Sequence, residues 1–388
     1  MSARKLLVVT DGMEVGGSQR QISYLLEGLD RAQWQPELLF FRSPSFLVDA
    51  LREKGITVHQ IPKRGRFDPG FILKYAALLR RGRYDLVHAF SLTAEMWAVV
   101  AKLLSGRRAP LVSSVRGLYL DQPGWFWRIK RLVIHRSAAV IANAHAGAAA
   151  ASRRSGIPLD RFDVVANGVA APKALPRHER ETLRQALGVP AGRPFGLFVG
   201  RLVKEKNLQC LVGAMAGLTP AERPWLALAG DGPLRAEVEA SAKGLEQDMR
   251  FLGERADSQA LMQAADFLVL PSAYEGMPNV VLEAMMAGCP VIGSRVGGIP
   301  ELIEDDVTGL LFPGGDSQAL GLQMRRLGND GAMRERIASA ALQRGRQRHS
   351  IEHMVASTTA VYDRCLTGSA STALPNRAPL PAARDQYP

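Results

Sequence analysis

Short apolar runs, each followed by a segment of helical period, recur along the whole of this chain and leave few folds open to it. In the first half they fall at Lys5–Thr10, Pro36–Phe41, Thr57–Gln60, Leu86–Ala89, Leu111–Val115 and Ala139–Ile141. Helix-period segments separate them, among them Gln19–Leu29, Phe71–Arg80 and Thr93–Leu104. Strands alternating with helices at this spacing predict a parallel, doubly wound α/β architecture. The pattern stops at the Pro- and Ala-containing APKALP, Ala171–Pro176, and resumes with Phe195–Val199, Leu226–Ala229 and Phe267–Leu270. A chain of 388 residues is too long for one ordinary core, so two Rossmann-like domains are expected, residues 1–172 and 173–350.

Composition excludes some classes. No apolar run reaches the roughly 20 residues of a membrane-spanning helix, and MSARKLLVVT reads as a strand rather than a secretory signal. Cys210, Cys289 and Cys365 lie far apart without ligand-like spacing, which fits a reducing, cytoplasmic setting and no structural zinc. Charge is uneven. Residues 1–174 hold 26 Lys and Arg against 13 Asp and Glu, a net +13, whereas the remainder holds 23 against 24. An anionic partner for the first half is implied: a membrane surface, a phosphorylated acceptor or nucleic acid. The cations belong to no nucleic-acid-binding motif, so a specific nucleic-acid role is the disfavoured alternative.

The stretch from Asp266 to Glu301 carries the most chemistry. Strand Phe267–Leu270 is closed by Pro271 and Ser272, and a turn at Tyr274-Glu275-Gly276 leads to a helix that starts near Pro278 and stops at Gly288. That helix is apolar nearly all round except for Glu283, a buried charge that requires a donor from protein or ligand. Glu275 lies just before it, where backbone N–H groups and the positive dipole end gather anions. From the residues alone, a solvated Glu275 and an arginine-paired Glu283 are an equally good reading.

Glu275 and Glu283, with seven residues between them, resemble the signature of the retaining glycosyltransferases of family 4. The resemblance implies that Glu275 contacts the donor sugar and Glu283 binds the ribose hydroxyls. It places Gly276, Met277, Asn279 and Val280 in the donor site. VGGIPELI, Val296–Ile303, and GLLF, Gly309–Phe312, extend it. Further matches follow. GGSQ after the first strand is similar to the family's GGAE-like loop, with Gln19 in place of the acid; Gly17 is carried over to the donor and Gly16 to the acceptor. A plain tight turn is the other reading of that loop. GRLVKEKN, Gly200–Asn207, gives Arg201 and Lys206 the role of binding the donor diphosphate, rather than of solvated cations. VVANGV, Val164–Val169, resembles the strand that ends the family's first domain. GDGP at Gly230–Pro233 and FLGER at Phe251–Arg255 complete the second domain.

His88 stands at a strand end where family members often carry a functional His in an HxH pair; here the pair reads HAF, with Phe90 in the second place. His88 is thus either a general base in the cleft or a satisfied structural group. Arg116, in SSVRGLYLD, is a second cleft candidate for the acceptor. Gly124–Arg136, GWFWRIKRLVIHR, sets Trp125, Phe126 and Trp127 beside Arg128, Lys130, Arg131 and Arg136, a combination that suits an anionic membrane interface or an ordinary amphipathic helix.

The family resemblance implies the GT-B fold, two domains facing a cleft. A helix over residues 351–367, with apolar Ile351, Met354, Val355 and Tyr362, would cross back to the first domain, and the Pro-, Ala- and Ser-rich residues 368–388 would be disordered. The implied activity is transfer of a sugar from a UDP- or GDP-linked donor to a lipid-linked or saccharide acceptor, retaining and metal-independent, without a cofactor, in the cytoplasm or peripheral on the inner face of a membrane. A nucleotide-sugar epimerase or phosphorylase of the same architecture is the alternative.

Overall fold

The computed structural model describes residues 3–14, 16–65 and 67–368. Thirteen parallel-paired strands form two sheets. The first contains β1 (Arg4–Val9), β2 (Trp34–Phe40), β3 (Thr57–Gln60), β4 (Leu86–Ala89), β5 (Leu111–Val115), β6 (Ala139–Ala142) and β7 (Phe162–Val164), in the order β3-β2-β1-β4-β5-β6-β7. The second contains β8 (Phe195–Val199), β9 (Trp225–Ala229), β10 (Met249–Gly253), β11 (Phe267–Leu270), β12 (Val291–Ser294) and β13 (Leu310–Phe312), in the order β10-β9-β8-β11-β12-β13. In each sheet the order reverses beside the first strand, and the loops at that reversal open a crevice at the strands' carboxyl ends.

Side chains alternate across a strand, so β1 serves two cores at once. Leu6 and Val8 join one cluster with Ile22, Leu38 and Phe40, while Leu7 and Val9 join another with Phe71, Tyr75 and Trp97. The helix Ile351–Thr367 inserts Met354, Val355, Val361 and Tyr362 into the first of these. Each such burial contributes about 1.5–3 kcal/mol, enough to hold the C-terminal helix on the N-terminal sheet. Of the disordered tail expected over 368–388, Gly368 is the C-cap of the last helix and residues 369–388 lie outside the described residues.

The strand expected over Val164–Val169 is displaced: β7 covers Phe162–Val164, and Val169 makes only an isolated bridge to Ser350. The intervening backbone turns to other partners. Gly168 N–H donates to Gln21 Oε1 at 2.9 Å, and Gln21 Nε2 donates to the Gly168 carbonyl at 2.8 Å. Two domains are joined at this point, and the bonds hold the connection on the first helix of the chain.

Candidate active site

Glu275 lies in the loop after β11, with its carboxylate turned back towards the sheet. Its Oε1 accepts from Lys206 Nζ, and from Ser272 Oγ at 2.8 Å. Lys206 closes a short turn, Lys204–Lys206, beyond the end of β8. The neighbouring strands β8 and β11 therefore bring into contact two residues that the chain separates by a whole βαβ unit. Gly297 and Gly298 fold over the same loop. Gly297 has φ +53°, and a Cβ there would stand 1.9 Å from the Glu275 carbonyl oxygen, so only glycine fits. Arg201 sits at the mouth of β8, exposed, and makes no ion pair among the described residues.

Glu283 belongs to the helix Asn279–Met286, whose Val281, Leu282, Ala284 and Met285 are buried. Its side chain is mostly buried, and Arg20 Nη1, from the first domain, approaches to 3.5 Å. Burial raises the Glu283 carboxyl above the ordinary carboxylate range, and the Arg20 charge opposes that rise. One long contact does not satisfy a carboxylate with about four lone-pair sites, so hydroxyl donors fit here. A cavity of about 500 Å³ beside Glu283 is bounded by Arg20, Lys173, Glu179, Asp257 and Ser258. Arg255, at the end of FLGER, forms a half-exposed ion pair with Asp257 at 2.6 Å.

The remaining residues of the motif form the seam between domains. A Cβ on Gly276 would lie 2.9 Å from Gly117 Cα. Met277 Sδ accepts from Asn167 N–H at 3.2 Å, and Asn279 Oδ1 accepts from Asn167 Nδ2 at 2.6 Å. Asn279 Nδ2 donates to the Gly17 carbonyl at 3.4 Å, next to Gly16, the N-cap of the helix Gly17–Gly28. Val280 is half-buried on the following turn. Gln19 Nε2 bends back to the Gly12 carbonyl, so it props its own loop. Glu301 completes the seam. Its two oxygens accept from the backbone N–H groups of His145 and Ala146, at 2.8 and 2.7 Å, capping a first-domain helix, His145–Ser155, that has no side-chain cap of its own.

His88 is reassigned. Its imidazole is buried, with Nδ1 bonded to the Tyr362 hydroxyl at 2.6 Å and Nε2 to Ser114 Oγ at 2.9 Å. Both nitrogens are engaged by the protein and the ring faces the C-terminal helix rather than the cleft. Of the two readings, the satisfied structural group fits. Burial, and secondarily the Arg116 charge, hold its pKa well below the usual histidine value.

The aromatic, basic helix is divided between core and surface. Gly124–Arg136 buries Phe126, Trp127 and Lys130, and Lys130 Nζ pairs with both oxygens of the buried Glu95 at 2.7 Å. Trp127 and Lys130 are unavailable to a surface, which leaves Trp125, Arg128, Arg131, Leu132 and Arg136 exposed. Among the described residues no helix is long and apolar enough to cross a membrane, and no group of three or more His, Cys, Asp or Glu could hold a metal ion.

Arg20, Asn167, Ser272 and Glu301 carry no sequence signal of the contacts they make here. Glu301 and Asn167 lay inside stretches singled out for their resemblance, but nothing local distinguishes a cap on another domain's helix from a solvated side chain.

Two facing doubly wound domains, with the candidate site at the carboxyl ends of the strands, have the GT-B architecture. Residues 179–344 match the profile of the glycosyl transferases group 1 and residues 15–171 that of glycosyltransferase family 4. An uncharacterized glycosyltransferase of Methanocaldococcus jannaschii is 30% identical over 306 residues, covering 74% of this chain and 77% of its own. The lipopolysaccharide core biosynthesis glycosyltransferase LpsD of Rhizobium meliloti is 27% identical over 364 residues, 93% of this chain and 98% of its own. The crystal structure of Anabaena Alr3699/HepE in complex with UDP-glucose superposes with a TM-score of 0.81 at 25% identity, covering 92% of this chain and 99% of that one. The chain belongs to the group 1 glycosyltransferases of family 4 and is a glycosyltransferase.

Proposed function

We propose that this enzyme is a retaining, metal-independent glycosyltransferase that takes a nucleoside diphosphate sugar in the second domain and passes the sugar to an acceptor held by the first. The observation that carries the reading is the pairing of Glu275 with Lys206 beside a buried, under-satisfied Glu283. Glu283 accepts the ribose hydroxyls, which complete its hydrogen bonding. Glu275 faces the donor sugar. Lys206 has three N–H donors, so it keeps Glu275 with one and offers the others to the diphosphate, together with Arg201. Charge that develops on the leaving diphosphate then meets fixed cations. Gly17, Gly276, Met277, Asn279 and Val280 shape the donor side; Gly16 and Arg116 belong to the acceptor side. His88 supports the cleft from behind rather than exchanging protons in it. Attack from the face the diphosphate leaves, with the acceptor hydroxyl's proton passing to the departing diphosphate oxygen as the anomeric C–O bond breaks, requires no enzymic nucleophile and retains configuration. The UDP-glucose bound to the HepE relative, and the lipopolysaccharide pathway of LpsD, support a UDP-linked donor and a glycan acceptor on a lipid.

A panel of UDP- and GDP-sugars, followed by mass spectrometry with EDTA present, tests the donor reading: transfer or slow hydrolysis of one donor class is expected. Activity that EDTA abolishes and magnesium restores overturns metal independence, and an inverted anomer by NMR overturns retention. Interconversion of sugars without an acceptor would mark an epimerase instead.

The acceptor side is read as resting on an anionic membrane. The helix Gly124–Arg136 presents Trp125 and Leu132, 53% and 54% exposed, between Arg128, Arg131 and Arg136. An apolar edge flanked by cations fits the boundary between headgroups and acyl chains.

A further inference from the structure

Arg116 follows β5 and points its guanidinium into the seam between the domains. Its Nη2 donates to Asn167 Oδ1 at 2.8 Å, while its backbone N–H donates to the Tyr119 hydroxyl at 3.2 Å. The Nε atom is buried and has no partner. Among the described residues no carboxylate pairs with it. Phe90 lies beneath, its ring centre 5.5 Å from Cζ. This is the Phe that replaces the second His of the HxH pattern, so an apolar face stands where a polar ring is common. Burial lowers the Arg116 pKa to about 10, which still leaves it charged at neutral pH.

A cation in this position is costly unless something anionic completes it. Among the described residues the guanidinium meets a neutral amide and an aromatic face, and its fork retains donors suited to a planar carboxylate or a phosphate. Asn167, which holds one edge, also bonds Asn279 of the donor motif, so the fork is registered against the donor loop. The donor's own phosphates have Lys206 and Arg201 at the other side of the cleft. We propose that Arg116, braced by Asn167 and Phe90, reads an anionic group on the acceptor: a phosphate or carboxylate next to the hydroxyl that receives the sugar. The inference rests on the glycosyltransferase reading, and it deepens that reading by giving the acceptor's chemical class.

Calorimetry on the full chain, with UDP and without, tests it using matched probes: glucose against glucose 6-phosphate, glucose against glucuronate, and myo-inositol against its 1-phosphate. At least one anionic probe is expected to bind tenfold or more tightly than its neutral partner. Arg116→Met should reduce that preference to within twofold, and Arg116→Lys should retain part of it. Which pair separates tells phosphate from carboxylate. Equal binding within every pair, a preference that survives in Arg116→Met, or a larger loss for UDP than for the anionic probe overturns the proposal. Anion preference without any UDP or GDP binding would support it while overturning the donor reading, so the two fail separately.

Discussion

Glu283 and Glu275 are both carboxylates of one motif, yet their surroundings assign them different work. Glu283 is mostly buried with one long contact, to Arg20; Glu275 is bonded to Lys206 and Ser272. Glu283→Gln should therefore weaken nucleoside diphosphate binding by about 1–3 kcal/mol, the worth of a charge-assisted hydrogen bond. Glu275→Gln should lower turnover more than nucleotide affinity, because its carboxylate holds Lys206 and, in the proposed function, faces the sugar. Titration calorimetry with UDP and GDP, paired with turnover on the preferred donor, separates the two. Unchanged nucleotide affinity in the Glu283 variant would remove the ribose assignment.

The helix Gly124–Arg136 divides its charges between two jobs. Lys130 reaches inward to Glu95, and the pair is closed by Ser114, whose carbonyl accepts from Lys130 and whose N–H donates to Glu95. Breaking a buried pair from one side leaves an uncompensated charge, so Lys130→Met should cost about 3–5 kcal/mol, read from urea unfolding. A loss under 1 kcal/mol would show that Glu95 finds another partner. The outward face behaves oppositely. Replacing Trp125, Arg128, Arg131 and Arg136 together should leave stability nearly unchanged and abolish salt-sensitive sedimentation with anionic vesicles, each cation near such a surface adding about 1 kcal/mol. If the wild-type protein stays in the supernatant at low salt, the membrane reading fails.

Across the whole molecule, one carboxylate spans the cleft to cap a helix. Glu301→Ala should uncap the helix His145–Ser155 and move the domains towards an open arrangement, seen as a larger radius of gyration in solution scattering. Identical scattering from the two proteins would show that Glu301 does not hold the cleft closed. Protons act on the fold as well. His88 and His349 are buried with depressed pKa values, that of His349 at about 4. A depressed folded-state pKa gives stability that is present above the unfolded value, near 6.5, and lost as pH falls below it. Glu283 and Glu301, whose pKa values are raised, change in the opposite sense and offset part of this at lower pH. The histidine contribution is isolated by comparing wild type with His88→Asn at pH 7.5 and 5.5. The variant should lose less stability on acidification, by up to about 1.4 kcal/mol per pH unit in the affected window. Equal losses would show that His88 titrates normally.

Sequence alone determined the repeated strand and helix pattern, the double winding and the family. Strands β4, β5, β8 and β11 fall on the residues assigned to them because a strand covered on both faces must be largely apolar, and the edge strand β3, Thr57–Gln60, falls in place from the alternation of strands and helices. Motif residues could likewise be named, since the glycines and carboxylates of the family's motifs lie close together along the chain. Tertiary structure decided the partnerships. Glu275 meets Lys206 because β8 and β11 are neighbours, His88 meets Tyr362 because the last helix returns to the first sheet, and Glu301 meets an uncapped helix of the other domain. The same limit explains Lys130 and Trp127. A cation or an aromatic ring on an amphipathic helix has no local mark for its direction, and only the buried Glu95 and the packed core settled that these two turn inward.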